Sequence, residues 1–293
     1  MKILILGSEG FVGHNLVEGL SKNHEIFCAD MITTSIHSNY TKFDVTDSSS
    51  VLNTIKDVDV VIDLVAHSLV SSIEGPAKNA EVNIIGLLNI LDACIQNKIK
   101  KIIFTSASSL IGEPQTPRVS ESHIATPKTA YGISKLASEH YLRLYHELYG
   151  LDYVIFRFFN IYGPYQKNGL IPSLFSRISQ MQPLTVFGKG DQIRDYVFIQ
   201  DIIPFFEKAA TTNIGDNKIF NMGTGKGNSI LDVIDIMSER MGLKPEIEFK
   251  EPRPGEIGNF VSDPTILESV FGNVPSTGIQ EGIKQTVDWL KNN

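Results

Sequence analysis

A chain of 293 residues is long enough for one large domain, or for one domain with a smaller companion, and for a substantial buried core. With 42% hydrophobic and 20% charged residues and no apolar run of membrane-spanning length, neither a disordered chain nor a membrane protein is expected. The net charge of -7 argues against non-specific binding of nucleic acid, because phosphate contacts need a basic face.

The opening MKILILGSEG pairs a lysine with an apolar run, as a secretory leader does, but glycines stand where a cleavage site would follow. A buried first strand at 2–6 is expected instead. Further apolar runs predict strands at 25–29, 41–45, 59–65, 101–106 and 152–158, and helical periodicity falls between them at 11–22, 48–55, 77–97 and 131–149. This alternation is that of parallel strands joined by crossover helices. After residue 163 the rhythm loosens around Pro164, Pro172 and Pro183, and two more helical stretches follow at 229–241 and 278–291. The change marks a boundary between residues 1–163 and a smaller unit, 164–293. Cys28 and Cys94 show no CxxC or Cys/His spacing, so neither a disulfide scaffold nor a metal site is signalled, and a reducing, cytoplasmic setting fits.

Directly after the first strand, Gly7, Gly10 and Gly13 are spaced as GxxGxxG and lead into a helix. A pyrophosphate needs a tight turn, a close backbone and a helix N-terminus pointing at it, and this order supplies all three. Asp30, at the end of the second strand, stands where a carboxylate accepts the adenosine ribose hydroxyls and repels a 2′-phosphate, so NAD is favoured over NADP. Asp44, ending the third run, faces either the adenine edge or solvent. Tyr131 and Lys135 lie at i and i+4 on one face of a helix. A phenol has a pKa of about 10, so it becomes a useful base only where neighbouring positive charge favours the phenolate.

The motifs GSEGFVG, FDVTD, VIDLVAHS, YGISK, RFFNIYGP, LTVFGKGDQIRDYV and PRPGEI together resemble the extended short-chain dehydrogenase/reductases, in particular the nucleotide-sugar epimerases, along nearly the whole chain. The resemblance implies an α/β fold with a Rossmann-type doubly wound parallel sheet in 1–163, joined by a returning segment near 196–222. It also implies a smaller mixed α/β unit, 164–293, that mainly binds substrate. NAD would lie against Gly7, Gly10, Phe11, Val12, Gly13, Asp30, Asp44, Val45, Val65, Ala66, Asn83, Tyr131, Lys135 and Phe158. A nucleoside-diphosphate sugar would meet Ser108, Tyr131, Asn160, Asn168, Leu170, Val186, Phe187, Arg194, Arg253 and Glu256. Arg194 and Arg253 match the family's diphosphate clamps, a job that suits guanidinium donors. The family's second asparagine beside Asn168 is Gly169 here, and bulky Phe260 matches a position that limits the sugar pocket and disfavours N-acetylated hexoses. His67 and Ser68 follow the fourth strand, in a loop that contacts cofactor through its backbone. Homodimerisation through the helices at 77–97 and 131–149 is also implied.

One departure stands out in FTSASSLIG, residues 104–112. The family carries a serine or threonine five residues before the glycine matched by Gly112, and here that position is Ala107, with Ile111 replacing the usual tyrosine. Three explanations remain: a one-residue shift brings Ser108 to the site, Ser106 serves instead, or Tyr131 works without the hydroxyl. The same stretch lacks the acidic residue that the family's 4,6-dehydratases and decarboxylases carry there. The resulting expectation is a UDP-hexose 4-epimerase, most simply acting on UDP-glucose and UDP-galactose. Tyr131 and Lys135 would be catalytic, a hydride would pass to NAD and back through a 4-keto sugar, and no metal would be needed. The alternatives are a nucleotide-sugar reductase, another sugar-modifying relative, or a non-catalytic cofactor-binding protein.

Overall fold

The protein is described by a computed structural model covering residues 1–252 and 257–293. The chain begins with β1 (Lys2–Leu6), α1 (Phe11–Leu20), β2 (Glu25–Asp30), β3 (Tyr40–Lys42), α2 (Ser48–Thr54) and β4 (Val60–Asp63). There follow α3 (Leu69–Glu74), α4 (Pro76–Ala80), a π-helical turn (Glu81–Ile85), α5 (Gly86–Gln96) and β5 (Lys101–Ala107). A 3-10 turn (Ser108–Leu110) and the short β6 (Arg118–Val119) lead to α6 (Ala130–Tyr149), β7 (Asp152–Phe158) and β8 (Asn160–Tyr162). Beyond these come α7 (Leu170–Ser179), β9 (Leu184–Phe187), β10 (Ile193–Arg194), β11 (Tyr196–Phe198), α8 (Ile199–Thr211) and β12 (Lys218–Met222). The last elements are β13 (Asn228–Ser229), α9 (Ile230–Met241), β14 (Ile247–Lys250), β15 (Asn259–Ser262), α10 (Thr265–Phe271) and α11 (Ile279–Asn292).

Seven strands form one parallel sheet in the order β12-β7-β5-β4-β1-β2-β3. This is the doubly wound, Rossmann-type arrangement expected, with its order reversing between β1 and β4, where the strand ends open a crevice. Both faces are covered because alternate side chains of each strand enter different cores. Ile3 and Ile5 of β1 belong to the core that includes α1 and α8 residues, whereas Leu4 and Leu6 join Leu87, Leu91 and Leu142 on the opposite face. β12 returns from late in the chain to pair with β7 at the sheet edge. Outside it, β13, β10, β15 and β6 form a second sheet, so β6 leaves the first part of the chain to pair with β15.

Two elements differ from the sequence pattern for local reasons. The expected strand at 41–45 stops at Lys42, because the Asp44 carboxylate accepts hydrogen bonds from the Thr46 amide and hydroxyl and turns the chain, and Asp47 then caps α2. The expected helix at 77–97 is interrupted by the π-helical turn at Glu81–Ile85, which carries buried Asn83. Among the described residues no helix is long and apolar enough to cross a membrane.

α6 is fixed to the sheet by charge as well as packing. Arg157 of β7 donates from Nε and Nη2 to the two Glu139 oxygens at 2.9 and 2.7 Å, and the Ser106 hydroxyl of β5 donates to the same carboxylate at 2.7 Å. Glu139 and Arg157 are 1% and 4% exposed, so removing one partner strands the other. Arg157→Met is therefore expected to cost about 3–5 kcal/mol, read as a lowered urea midpoint with unchanged slope.

Candidate functional site

The glycine loop is shaped by backbone demands. Gly7 has φ +83° and lies against the Leu64 backbone, a conformation that side chains rarely adopt. A Cβ on Gly13 would lie 2.4 Å from the Gly7 carbonyl oxygen, so only glycine lets α1 start this close to β1. Two cavities meet at this loop, both touching Gly7, Gly10, Leu64 and Ala66. The first, about 310 Å3, runs along Asp30, Asp44, Val45 and Val65; the second, also about 310 Å3, lies under Phe11, Val12 and Gly13 and reaches Ala107, Tyr131, Lys135 and Phe158. Asp30 lines the first cavity, and its carboxylate is held there by the Glu9 and Met31 amides, from which it accepts at 3.0 and 2.7 Å. The Asp44 carboxyl is held below its usual range by the hydrogen bonds from Thr46. A glycine cradle that a Cβ would fill, between a carboxylate-tipped cavity and a second one, fits a dinucleotide.

Asn83 lines neither cavity. It is buried and accepts from the His67 amide at 2.7 Å while its amide group donates to the His67 carbonyl and the Ser134 hydroxyl. It thus pins the loop after β4 to α6, and a π-helical turn is a common setting for such a residue.

Lys135 is 1% exposed and donates to the Thr105 carbonyl at 2.7 Å, with its Nζ 4.4 Å from the Phe104 ring centre and 5.8 Å from that of Tyr131. Burial lowers its pKa, opposed by the charges of Asp63 and Glu139, and burial raises that of Asp63, opposed by Lys135. Without the positive charge of a bound nicotinamide, burial is the dominant influence on the phenol. Burial pushes Tyr131 up to about 12, and Lys135 gives one of its three N–H donors to β5.

The strand register bears on the three hydroxyl readings. β5 pairs with β7 without slippage as far as Ala107 opposite Phe158, and Ala107 lines the cavity. Ser108 follows Ala107 and opens the 3-10 turn, outside the residues that line this cavity. Ser106 reaches the lining, but its hydroxyl is committed to Glu139 and the neighbouring Thr105 hydroxyl to the Asp63 carbonyl. The cavity wall therefore carries a methyl group at the strand end.

Leu170, Val186 and Phe187 meet in a third cavity, between α7 and β9, with Gly169, Arg177 and Gln192. Gly169 has φ +119° at the start of α7, which explains glycine where the resembled family has asparagine; Asn168 is exposed beside it, outside the lining. Asn160 begins β8 and is exposed, and Arg194 is part-buried in β10, where its Nη1 donates to the Ile193 carbonyl. Phe260 stands behind the cavity wall, its ring 5.5 Å from that of Phe159, which does line the cavity. Arg253 and Glu256 lie outside the described residues. Sequence reasoning missed Phe159 and Glu139; Glu139 was detectable at i+4 from Lys135, on the same helix face.

A glycine cradle at the switch of the sheet and a Tyr/Lys pair facing it define a dinucleotide-dependent enzyme of the extended short-chain dehydrogenase/reductase class. A model of the NAD dependent epimerase/dehydratase family matches residues 3–223, and the chain belongs to that family, with NAD as cofactor. It is 34% identical over 306 residues to a putative UDP-glucose 4-epimerase of Methanocaldococcus jannaschii, covering 99% of each chain. Among solved structures it is similar to the UDP-glucose 4-epimerase of Thermotoga maritima with UDP-glucose, at 29% identity, TM-score 0.93 and coverage of 100% and 99%. It is also similar to the UDP-glucuronic acid 4-epimerase of Bacillus cereus with UDP-glucuronic acid and NAD, at 28% identity, TM-score 0.91 and coverage of 100% and 99%. Because the Gly13 site has backbone on the side where a Cβ would project, Gly13→Ala is expected to purify without NAD, measured by chromatography of the nucleotide released on denaturation.

Proposed function

We propose that this protein interconverts the 4-epimers of a UDP-hexose, most simply UDP-glucose and UDP-galactose. The observation that carries the reading is the composition of the inner cavity. Tyr131 and Lys135 face the glycine loop, and none of its described lining residues is a carboxylic acid that could expel water or assist decarboxylation. What remains possible there is removal and return of a proton and a hydride at one carbon. When bound, NAD supplies the hydride acceptor and a positive charge beside the phenol. Tyr131 takes the proton of the sugar 4-hydroxyl and gives it back after the sugar has turned its other face. Lys135 favours the phenolate electrostatically while the Thr105 carbonyl holds its ammonium in place.

The third cavity, with Leu170, Val186 and Phe187, takes the nucleotide base, and residues 164–293 act mainly in substrate binding. Asn160, Asn168, Arg194, Arg253 and Glu256 serve the diphosphate and sugar. Phe260, by backing Phe159, limits the room around the sugar and leans the site against N-acetylated hexoses. Exposed apolar side chains in the helical stretches 77–97 and 131–149, including Ile85, Ile133 and Leu148, support a homodimer through these two contacting stretches.

Proton NMR of the anomeric signals tests the reading directly. Purified protein given NAD and both UDP-galactose and UDP-N-acetylgalactosamine is expected to convert the first alone; conversion of neither, or stoichiometric consumption of added NADH, overturns it. Tyr131→Phe is expected to lower kcat by about 100-fold or more, and Lys135→Met to move the alkaline rise of the pH profile upward. Ala107→Ser restores a donor at the strand end and is expected to raise kcat by roughly 10-fold or more with little change in KM.

A further inference from the structure

Glu9 of the glycine loop, His14 of α1 and His37 of the segment after β2 converge at a point that lines neither half of the cofactor site. One ligand atom from each lies within 4.8 Å of those of the other two. His37 Nε2 is 3.5 Å from one Glu9 oxygen and His14 Nε2 is 3.9 Å from the other, and all three side chains are largely buried, at 15%, 14% and 8% exposure. Buried histidine nitrogens normally have hydrogen-bond partners, yet among the described residues neither His14 Nδ1 nor His37 Nε2 makes a hydrogen bond, and His37 Nε2 has only its ion-pair contact with Glu9.

We propose that Glu9, His14 and His37 form a binding site for a divalent transition-metal ion of the zinc type, with water as fourth ligand. Two imidazoles and one carboxylate are a donor set that such ions take. Metal–nitrogen bonds of about 2.0–2.1 Å in a tetrahedron set neighbouring ligand atoms roughly 3.3 Å apart, so small side-chain rotations bring these groups to that spacing. The charged and titratable groups that act on His14 are Glu9, His37, Lys167 and Asp30. The Lys167 charge opposes the ion, and the Glu9 and Asp30 carboxylates offset it.

The surroundings also hold the ligands in place. Ser35 donates to the Glu9 carboxylate at 2.5 Å and accepts from the His37 amide at 2.9 Å, fixing one ligand against another. The His14 ring is stacked on Tyr165 at 4.8 Å, which is itself in contact with Trp289. Through the Glu9 amide, which donates to Asp30, a bound ion stiffens the adenosine side of the cofactor site. The site is independent of which sugar is turned over.

The test uses untagged, NAD-loaded protein, stripped of metal with a chelator and titrated with Co2+ as a spectroscopic probe, then with Zn2+. Tetrahedral cobalt absorption that zinc displaces, with about one equivalent of zinc retained on gel filtration, is expected. His37→Ala and Glu9→Gln lose the retained ion, Ser35→Ala weakens binding by about 10-fold, and His24→Ala, at a separate His–Glu pair, leaves it unchanged. Circular dichroism and NAD content establish that each variant is folded. No retained metal in the parent protein, or equal retention in folded His37→Ala, overturns the proposal.

Discussion

α6 has to carry two charges into the interior on one face, and the geometry of the site depends on how they are neutralised. Lys135 and Glu139 are one turn apart, both buried against the sheet. Lys135 is satisfied by the end of β5 and faces Asp63 of β4, whereas Glu139 is held by Arg157 of β7 and Ser106 of β5. Three adjacent strands therefore fix the rotation and height of one helix. A buried ion pair returns little net stability, since desolvation offsets attraction, but it penalises every other register of the helix. Tyr131, one turn before Lys135, inherits its position from this arrangement.

Much of the fold was legible because covered parallel strands are written as apolar runs such as KILIL and KIIFTS, with the glycine loop immediately after the first. The third strand and the helix at 77–97 were less so. Asp44 hydrogen-bonding its own backbone ended one early, and the π-helical turn around Asn83 broke the other, and neither leaves a mark in hydrophobic spacing. In the site, spacing alone paired Tyr131 with Lys135. It could not show that the lysine donates to β5, nor that burial drives the tyrosine away from the phenolate. The placement of the serines in FTSASSLIG depended on strand register, which a single sequence does not contain. Glu9, His14 and His37 were unreadable for a related reason: they converge only because the segment after β2 folds back across the start of α1.

Ala107 gives the inner cavity an unusual balance. The Thr105 and Ser106 hydroxyls before it are turned into the fold, toward the Asp63 carbonyl and Glu139, while the Ala107 methyl group lines the cavity. Burial around Tyr131 then makes its charge state depend on what occupies the space in front of it.

The sheet order also has a consequence for how the protein is made. β12 closes the edge of the main sheet beside β7, yet between them in the chain lie β8, α7, β9, β10, β11 and α8. On the ribosome, β7 emerges with its outer row of amides and carbonyls open, and they stay open until residues 218–222 follow. The nascent polypeptide thus passes through a stage in which an almost finished sheet offers a sticky border to other chains, and prompt delivery of its final strand guards it against aggregation.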